Sequence, residues 1–211
     1  MASPAAPAHD TRERLILAAE RLFAERGIGE VSLREVGAAA GQRNTSAAQY
    51  HFGNKAALIE AIFDYRMRTI NEQRLRHLAE MQVEGSGNEP CSLLEAFVVP
   101  LAASTSEPDS HYARFLAQFS TDPRYRTSWD WETATSLRLV WNGLRRCLAH
   151  LPEPTLRARL RMLEHLVLHT VADHERAGEP STPDRPAPWV TELVDAAEAL
   201  LTAPTTRQPQ P

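Results

Sequence analysis

The sequence predicts an all-α protein, with a small N-terminal helical domain followed by a larger helical one. Three observations support this prediction. Apolar residues recur at every third or fourth position over long stretches. Glycines, prolines and capping residues separate these stretches. No segment alternates apolar and polar residues as a half-buried strand does. We expect about nine helices.

The composition is that of an ordinary globular protein. The 211 residues are 43% hydrophobic and 24% charged, and they suffice for one large domain or two modest ones. The net charge of −4 excludes a strongly basic protein that coats nucleic acid, but not a protein with a local DNA-binding surface. No apolar run approaches the ~18 residues that a membrane helix needs, and residues 1–9 lack the features of a signal peptide. Two distant cysteines, Cys91 and Cys147, exclude a disulfide scaffold, so we expect a cytoplasmic protein.

The N-terminal third predicts three helices, the second and third of them short. The first begins near Thr11 and ends at Gly27. A capping box formed by Ser32 and Glu35 begins the second, which Gly41 ends as a left-handed cap. The third is capped by Asn44, Thr45 or Ser46 and runs to about His51. These lengths are typical of a helix-turn-helix unit.

The remaining helices are separated by prolines and polar loops. A long helix is predicted from Lys55 to about Val83, and residues 84–90 form a loop. A second capping box, Ser92 to Glu95, should begin the next helix, which Pro100 should kink or shorten. The last amphipathic helix is expected from Trp189 to about Leu201. We predict disorder for residues 1–10 and 204–211.

The third helix has the side chains that a major-groove helix needs. Small and polar residues let its backbone approach the base edges, and the amide of Gln49 can bond adenine at two atoms. Tyr50, His51 and Lys55 follow at positions suited to phosphates. The predicted DNA-binding residues are Arg43, Asn44, Thr45, Ser46, Gln49, Tyr50, His51 and Lys55. Local charge adds little, because residues 1–55 carry seven basic and six acidic groups. Some of the arginines of the long helix, Arg66, Arg68, Arg74 and Arg76, are expected to form a solvated face.

The segment from Thr11 to about Ile62 resembles the N-terminal domain of the TetR (tetracycline repressor) family. The matching motifs are TRERLILAAERLFAERG, VSLREVGAAAG and YHFGNKAALIEAI. The stretch between Gly41 and Phe52 is one residue longer than the usual pattern, and Gln49 stands where the family usually has tyrosine. Two registers are therefore open for the base contacts at Arg43 to Ala47.

The resemblance implies a cytoplasmic homodimer that binds a palindromic DNA operator and is released by a small-molecule ligand. It divides the chain into a DNA-binding domain at 11–55 and a ligand-binding and dimerisation domain at 56–203. An activator and a repressor are not distinguishable from the sequence. The alternative is a helical ligand-binding protein or enzyme on the same scaffold, without sequence-specific DNA binding.

Aromatic residues are concentrated in one part of the predicted ligand-binding domain. Seven of the 14 aromatic residues fall between 112 and 141, as a small-molecule pocket would need. The alternative for each residue is ordinary core. The predicted ligand-binding residues are Phe97, His111, Tyr112, Phe115, Phe119, Trp129, Trp131 and Trp141.

The family resemblance places the dimer interface on the last two helices. Their apolar stripes contain the predicted interface residues Met162, Leu163, Leu166, Val167, Thr170, Val190, Leu193, Val194 and Ala197. The alternative is that both stripes face the core of their own subunit, which would leave a monomer.

No catalytic residue, metal or cofactor is predicted. His165, His169 and Asp173 share one helix face at metal-ligand spacing, but any polar stripe has this spacing. No HExxH motif, phosphate-binding loop or GxSxG motif is present in the sequence.

Overall fold

The computed structural model of the chain describes residues 8–87, 89–107, 109–122, 124 and 135–205. In this part of the chain the structure is helical, without strands. The helices are α1 (Ala8–Arg26), α2 (Leu33–Ala39), α3 (Ala47–Phe52), α4 (Lys55–Glu84), α5 (Pro90–Ser104), α6 (Tyr112–Thr121), α7 (Thr135–Cys147), α8 (Glu153–Ala177) and α9 (Pro188–Thr202). The prediction of an all-α fold with about nine helices is confirmed. None of the described helices is long and apolar enough to cross a membrane.

Local capping chemistry sets several helix ends as predicted. The Ser32 hydroxyl accepts a hydrogen bond from the Glu35 amide at 3.3 Å, and the Glu35 carboxylate accepts one from the Ser32 amide at 2.8 Å. This capping box satisfies two amides that the first turn of α2 leaves without helical partners. Asn54 caps α4 in the same manner, because its side chain accepts from the Ala57 amide at 2.9 Å. Gly41 follows α2 at a φ of 69°, a conformation that favours glycine.

Two predicted helix starts are wrong, those of α1 and α5. Helix α1 begins at Ala8, so residues 8–10 belong to a helix and not to a disordered arm, whereas residues 1–7 lie outside the described residues. Helix α5 begins at Pro90 and not at a Ser92 capping box, because proline suits the first turn, where no amide partner is needed. Pro100 lies inside α5 and does not end it. Helix α3 begins at Ala47 as predicted, with Ser46, one of the three candidate capping residues, at the N-cap position and Asn44 and Thr45 in the turn before it.

One continuous core runs from α1 to α9. Helix α6 packs against α1 on one side and α8 on the other, while α5 packs against α4, α7 and α9. The long helix α4 contacts α1 and α3 near its beginning and α5 and α7 further along. It therefore links the N-terminal helices α1–α3, here called the head, to the rest of the molecule. The division of domains at residue 55 stays a prediction.

Candidate nucleic-acid interface and ligand cavity

The turn between α2 and α3 is packed closely against α2. A Cβ atom added at Gly37 would lie 2.8 Å from the carbonyl oxygen of Thr45, closer than real Cβ atoms approach backbone. Only glycine fits this contact without a backbone shift. Helix α3 in turn buries Ala48 and Phe52 and leaves Gln49 and Tyr50 exposed. The unit thus fixes one face of α3 to the head and presents the other to solvent.

The solvent face of this unit contains most of the predicted DNA-binding residues. Arg43, Asn44 and Ser46 are exposed in the turn, and Tyr50 is 87% exposed, unusual for an aromatic side chain. Thr45 and His51 are half-buried. The Gln49 side chain donates a hydrogen bond to the carbonyl of Gly53 and is free to exchange this for another acceptor, because it is exposed.

Lys55 makes internal hydrogen bonds that the sequence pattern did not indicate. Its ammonium group donates to the carbonyl oxygens of Ile28 at 2.8 Å and Gly29 at 3.3 Å, in the loop after α1. Burial lowers the pKa of this ammonium, and the nearby charge of Arg124 lowers it further. The ammonium therefore ties the start of α4 to the head, and a phosphate contact would share the same donor.

The exposed charge near α3 is positive. Between residues 33 and 55 the basic side chains are Arg34, Arg43 and Lys55, and Glu35 is the single acidic one. The Glu35 carboxylate is engaged by Arg26 at 2.8 Å and by the Ser32 cap. Arg34 is exposed on α2 and was not among the predicted DNA-binding residues.

The predicted ligand-binding aromatics do not form one site. Tyr112, Phe115 and Phe119 are fully buried and pack on Phe63, with ring centroids 5.1 to 6.3 Å from it. These three side chains belong to the core, so the alternative of ordinary core describes their packing. Trp129 and Trp131 lie outside the described residues.

Phe97 and Trp141 do come together, at one wall of a cavity. Their ring centroids are 5.5 Å apart. We name the space beside them the α7–α8 cavity; it has a volume of about 410 Å³ and is lined by Phe97, Leu137, Trp141, Arg145, Arg157, Leu160, Arg161 and Glu164. His111 lies elsewhere, in a cavity of about 420 Å³ that is lined mainly by α1 and the end of α2.

A buried ion pair joins the head to α4. Glu20 of α1 is 1% exposed and accepts two hydrogen bonds from Arg66, at 2.7 and 2.8 Å. Glu107 also accepts from Arg66. Burial alone would lower the pKa of Arg66, but the hydrogen bonds and charge of Glu20, with Glu107, raise it above the usual value.

Two carboxylates from different helices hold the start of α6. Glu20 accepts from the His111 amide at 2.9 Å, while Glu175 of α8 accepts from the amides of Ala113 at 3.1 Å and Arg114 at 3.0 Å. Carboxylates are favourable at a helix N-terminus because the amides there lack helical partners. Helix α6 is therefore fastened to both the head and α8.

A second arginine of α4, Arg74, is buried without such a partner. It is 2% exposed, and its hydrogen bonds go to the carbonyl of Ala96 at 3.1 Å and the hydroxyl of Ser136 at 3.2 Å. Burial lowers its pKa to about 10. A sequence pattern could have located both arginines, because Ile62, Arg66, Ile70 and Arg74 recur every four residues on one side of α4.

Most of the predicted dimer residues are buried within their own chain. The buried side chains are Leu163, Val167, Val190, Leu193, Val194 and Ala197. Met162 is 55% exposed, and Leu166 and Thr170 are half-buried. On the same face of α8 the rings of His165 and His169 stack with centroids 5.9 Å apart. Among the described residues no group of three His, Cys, Asp or Glu side chains could bind a metal ion.

Comparison with known proteins identifies the family. Residues 15–62 match the model for bacterial regulatory proteins of the tetR family. Residues 95–203, more than half of the chain, match the model for the tetracyclin repressor-like C-terminal domain. The chain belongs to the TetR family.

Individual relatives match less than half of the chain. The HTH-type transcriptional regulator TtgR of Pseudomonas putida is 33% identical over 90 residues, which are 43% of this chain and 42% of TtgR. The HTH-type transcriptional regulator AcrR of Shigella flexneri is 30% identical over 98 residues, 46% of this chain and 43% of AcrR. The chain thus spans about two fifths of the length of these curated relatives.

One solved structure matches the fold over most of the chain. The crystal structure of NalD, the secondary repressor of the MexAB-OprM multidrug efflux pump in Pseudomonas aeruginosa, aligns with a TM-score of 0.53 and 23% identity. The alignment covers 91% of this chain and 95% of NalD. At this level of identity the likeness establishes the fold.

Proposed function

We propose that the protein is a ligand-responsive transcriptional repressor that binds a palindromic DNA operator as a homodimer in the cytoplasm. The observation that supports this most directly is the α2–turn–α3 unit, in which the Gly37–Thr45 contact fixes an exposed α3 face. TetR family membership and the transcriptional regulators among its relatives support the same function.

The DNA contacts are assigned to two groups of side chains. Gln49 and the turn residues Arg43 to Ser46 contact base edges, because they are small or polar and mostly exposed. Tyr50, His51 and Arg34 contact phosphates, and Lys55 does so while it ties α4 to the loop after α1. The DNA-binding domain is residues 11–55, extended at its start by the first turn of α1.

The small-molecule site is assigned to the α7–α8 cavity. Its volume of about 410 Å³ lies in the range of small-molecule pockets, and its aromatic wall of Phe97 and Trp141 suits an apolar ligand. Helix α4 and the start of α6 connect this region to the head through Arg66, Glu20 and Glu175. Ligand releases DNA if it binds more tightly to a conformation in which the two heads lose their spacing.

The dimer is assigned to the exposed face of α8. Met162, Leu166 and Thr170 remain available there, whereas the buried residues of the two stripes support the interface from within. In an isologous contact of this kind the same α8 residues of the two subunits meet across a two-fold axis. Light scattering of the full chain tests it, and a monomer at micromolar concentration would contradict it.

Selection of an operator from random DNA tests the proposed function. We expect the wild-type protein to select a palindrome with half-sites about one duplex turn apart, roughly 34–36 Å. Gln49→Ala should lose ~1–3 kcal/mol at one base pair of each half-site and relax the preference there. The matched control is Gln73→Ala, on α4 away from the α3 face. Failure to select any sequence would favour a helical ligand-binding protein or enzyme, and unchanged preferences in Gln49→Ala would contradict the assigned contact.

A further inference from the structure

The side chain of Arg74 is a buried cation that no described carboxylate neutralises. It is 2% exposed, and none of the ion pairs among the described residues includes it. Both of its hydrogen bonds go to neutral oxygens, the Ala96 carbonyl and the Ser136 hydroxyl. The Ser136 hydroxyl donates onward to the Asn71 side chain at 2.5 Å. The protein thus surrounds the guanidinium with dipoles but supplies no counter-charge from the described residues.

An uncompensated buried charge is costly, and proteins normally pair it or replace it with an apolar residue. The same helix shows the usual solution eight residues earlier, where Arg66 is bonded to Glu20 and Glu107. An anion-binding position needs a cation that the protein itself does not neutralise. Arg74 meets this condition among the described residues. The planar guanidinium is suited to a carboxylate, which it can bind at two oxygens.

A second buried polar group, the Tyr112 hydroxyl, also lacks a partner among the described residues. The Tyr112 hydroxyl is fully buried and has no hydrogen-bond partner within the described structure, although buried tyrosine hydroxyls normally have one. Burial and then the charge of Glu20 raise the pKa of Tyr112, and the charges of Arg74 and Arg66 act against that rise. The phenol is therefore a neutral donor in the field of the Arg74 guanidinium. Among the described residues, no carboxylate neutralises Arg74 and no acceptor bonds the Tyr112 hydroxyl.

The guanidinium adjoins the α7–α8 cavity. Its central carbon lies 5.9 Å from the centroid of the Phe97 ring, and Phe97 lines the cavity. The residues that bond Arg74, Ala96 and Ser136, directly precede Phe97 and Leu137, which are both cavity residues. Phe97 therefore contacts both the guanidinium and the cavity, and a carboxylate reaches Arg74 from the cavity only if this ring moves.

The charged part of the cavity lining favours the same ligand class. Among the described lining residues three are basic, Arg145, Arg157 and Arg161, and one is acidic, Glu164. Glu153 lies 3.8 Å from Arg145 and 3.3 Å from Arg157, so the arginines still outnumber the nearby carboxylates. A net positive lining attracts an anion toward the aromatic wall.

We propose that the ligand is a small organic acid whose apolar body occupies the α7–α8 cavity and whose carboxylate binds Arg74 and the Tyr112 hydroxyl. This inference rests on the proposed function of that cavity as a small-molecule site. It adds the chemical class of the ligand and the two residues that recognise its acid group.

Isothermal titration calorimetry with 2-naphthoate and its neutral amide, 2-naphthamide, tests the inference on the full wild-type chain. The two probes have the same apolar body and differ in charge. We expect the acid to bind roughly 10- to 100-fold more tightly, the value of one charge-assisted hydrogen-bond pair. Equal binding, tighter binding of the amide or no binding of either probe would overturn the inference.

Variants locate the recognition. Arg74→Met should remove the preference for the acid, and Arg74→Lys, which keeps the charge in place, should retain part of it. Tyr112→Phe should weaken binding of the acid by roughly threefold to tenfold and leave binding of the amide unchanged. The control Arg76→Met changes an exposed arginine of the same helix and should bind as wild type does. A wild-type preference for the acid that persists in Arg74→Met would overturn the assignment to this residue.

Operator binding, measured by fluorescence anisotropy on the same proteins, separates this inference from the proposed function. Arg74→Met should bind the selected operator with unchanged affinity in the absence of probe. A protein that discriminates the acid but selects no operator would contradict the regulator and leave acid recognition standing. A protein that binds its operator but does not discriminate the acid from the amide would contradict acid recognition and leave the regulator standing.

Discussion

Arg66 and Arg74 lie two turns apart on α4 and are both buried, but their surroundings differ. Arg66 is bonded to Glu20 and Glu107, so its charge is neutralised within the chain. Arg74 is bonded to a carbonyl and a hydroxyl. At the junction with the head the buried arginine is thus paired with carboxylates, whereas beside the α7–α8 cavity the buried arginine is bonded only to neutral oxygens among the described residues. Helix α4 therefore carries one arginine that connects it to the head, Arg66, and one that an external anion can neutralise, Arg74.

The same difference suggests how a signal reaches the head. Glu20 bonds both Arg66 of α4 and the start of α6, and Glu175 of α8 bonds the next amides of α6. A shift of α4 or α8 caused by ligand would be transmitted through these buried carboxylates, because their bonds are short and shielded from water. A loose junction would absorb the shift instead.

The largest effect on stability is expected when the buried pair of Glu20 and Arg66 is disrupted. Glu20→Ala leaves Arg66 buried with only the half-exposed Glu107 and removes the acceptor of the His111 amide. Removing one partner of a buried pair costs about 3–5 kcal/mol, which urea denaturation would measure. The control Glu60→Ala changes an exposed glutamate of α4 and should cost less than about 0.5 kcal/mol. A loss below about 1 kcal/mol for Glu20→Ala would show that the junction is not stabilised by this pair.

An intermediate effect, on the binding of 2-naphthoate, is expected at the aromatic wall of the α7–α8 cavity. Trp141→Ala removes a half-buried ring that packs on Phe97, and should weaken 2-naphthoate binding by about 2 kcal/mol. Operator affinity of the free protein should be nearly unchanged, because Trp141 is remote from α3 along the fold. Calorimetry and anisotropy on one sample measure both. Lost operator binding with unaltered probe binding would show that Trp141 serves the fold alone.

A smaller effect, of opposite sign, is expected for the stability of Arg74→Met. Methionine fills the space without a charge, so the free energy of unfolding should stay equal or rise by up to about 2 kcal/mol. Thermal and urea unfolding without probe measure it. A loss of more than about 1 kcal/mol would mean that the neutral oxygens around Arg74 already compensate its charge, and that the two regions of α4 are energetically alike.

Features that depend on neighbouring residues could be predicted from the sequence, whereas those that depend on distant ones could not. The Ser32 capping box is local and was predicted, as was the extent of α4. The same pattern at Ser92 failed, because Pro90 begins α5 two residues earlier. Such a pattern offers a cap but does not choose between two competing helix starts.

Burial by distant elements accounts for the site residues that the sequence could not assign. The four-residue spacing separates Arg66 and Arg74 from the exposed Arg68 and Arg76, but it does not show what these two arginines bond. Only the packing of distant elements gives Arg66 the carboxylate of Glu20 and gives Arg74 the neutral oxygens of Ala96 and Ser136. Lys55 bonds a loop 26 and 27 positions away, which no local motif encodes. Tyr112 could be grouped with other aromatics by composition, but not recognised as a hydroxyl without a partner.

The smallest predicted effect on stability concerns Glu35 in the head, whose carboxylate is paired with Arg26 but partly exposed to solvent. Bonds from the Ser32 amide and hydroxyl, then from Arg26, hold the pKa of Glu35 at about 2, below its ordinary value of 4.5. A carboxylate with a depressed pKa stabilises the fold above pH 4.5, and this contribution disappears as the pH falls toward 2. Wild type should therefore exceed Glu35→Gln in unfolding free energy at about pH 6, and the gap should close between pH 4.5 and 2. Urea denaturation across this range, with Glu30→Gln as the exposed control, measures the gap. A gap that does not depend on pH would mean that Glu35 acts through hydrogen bonds that its neutral form makes equally well.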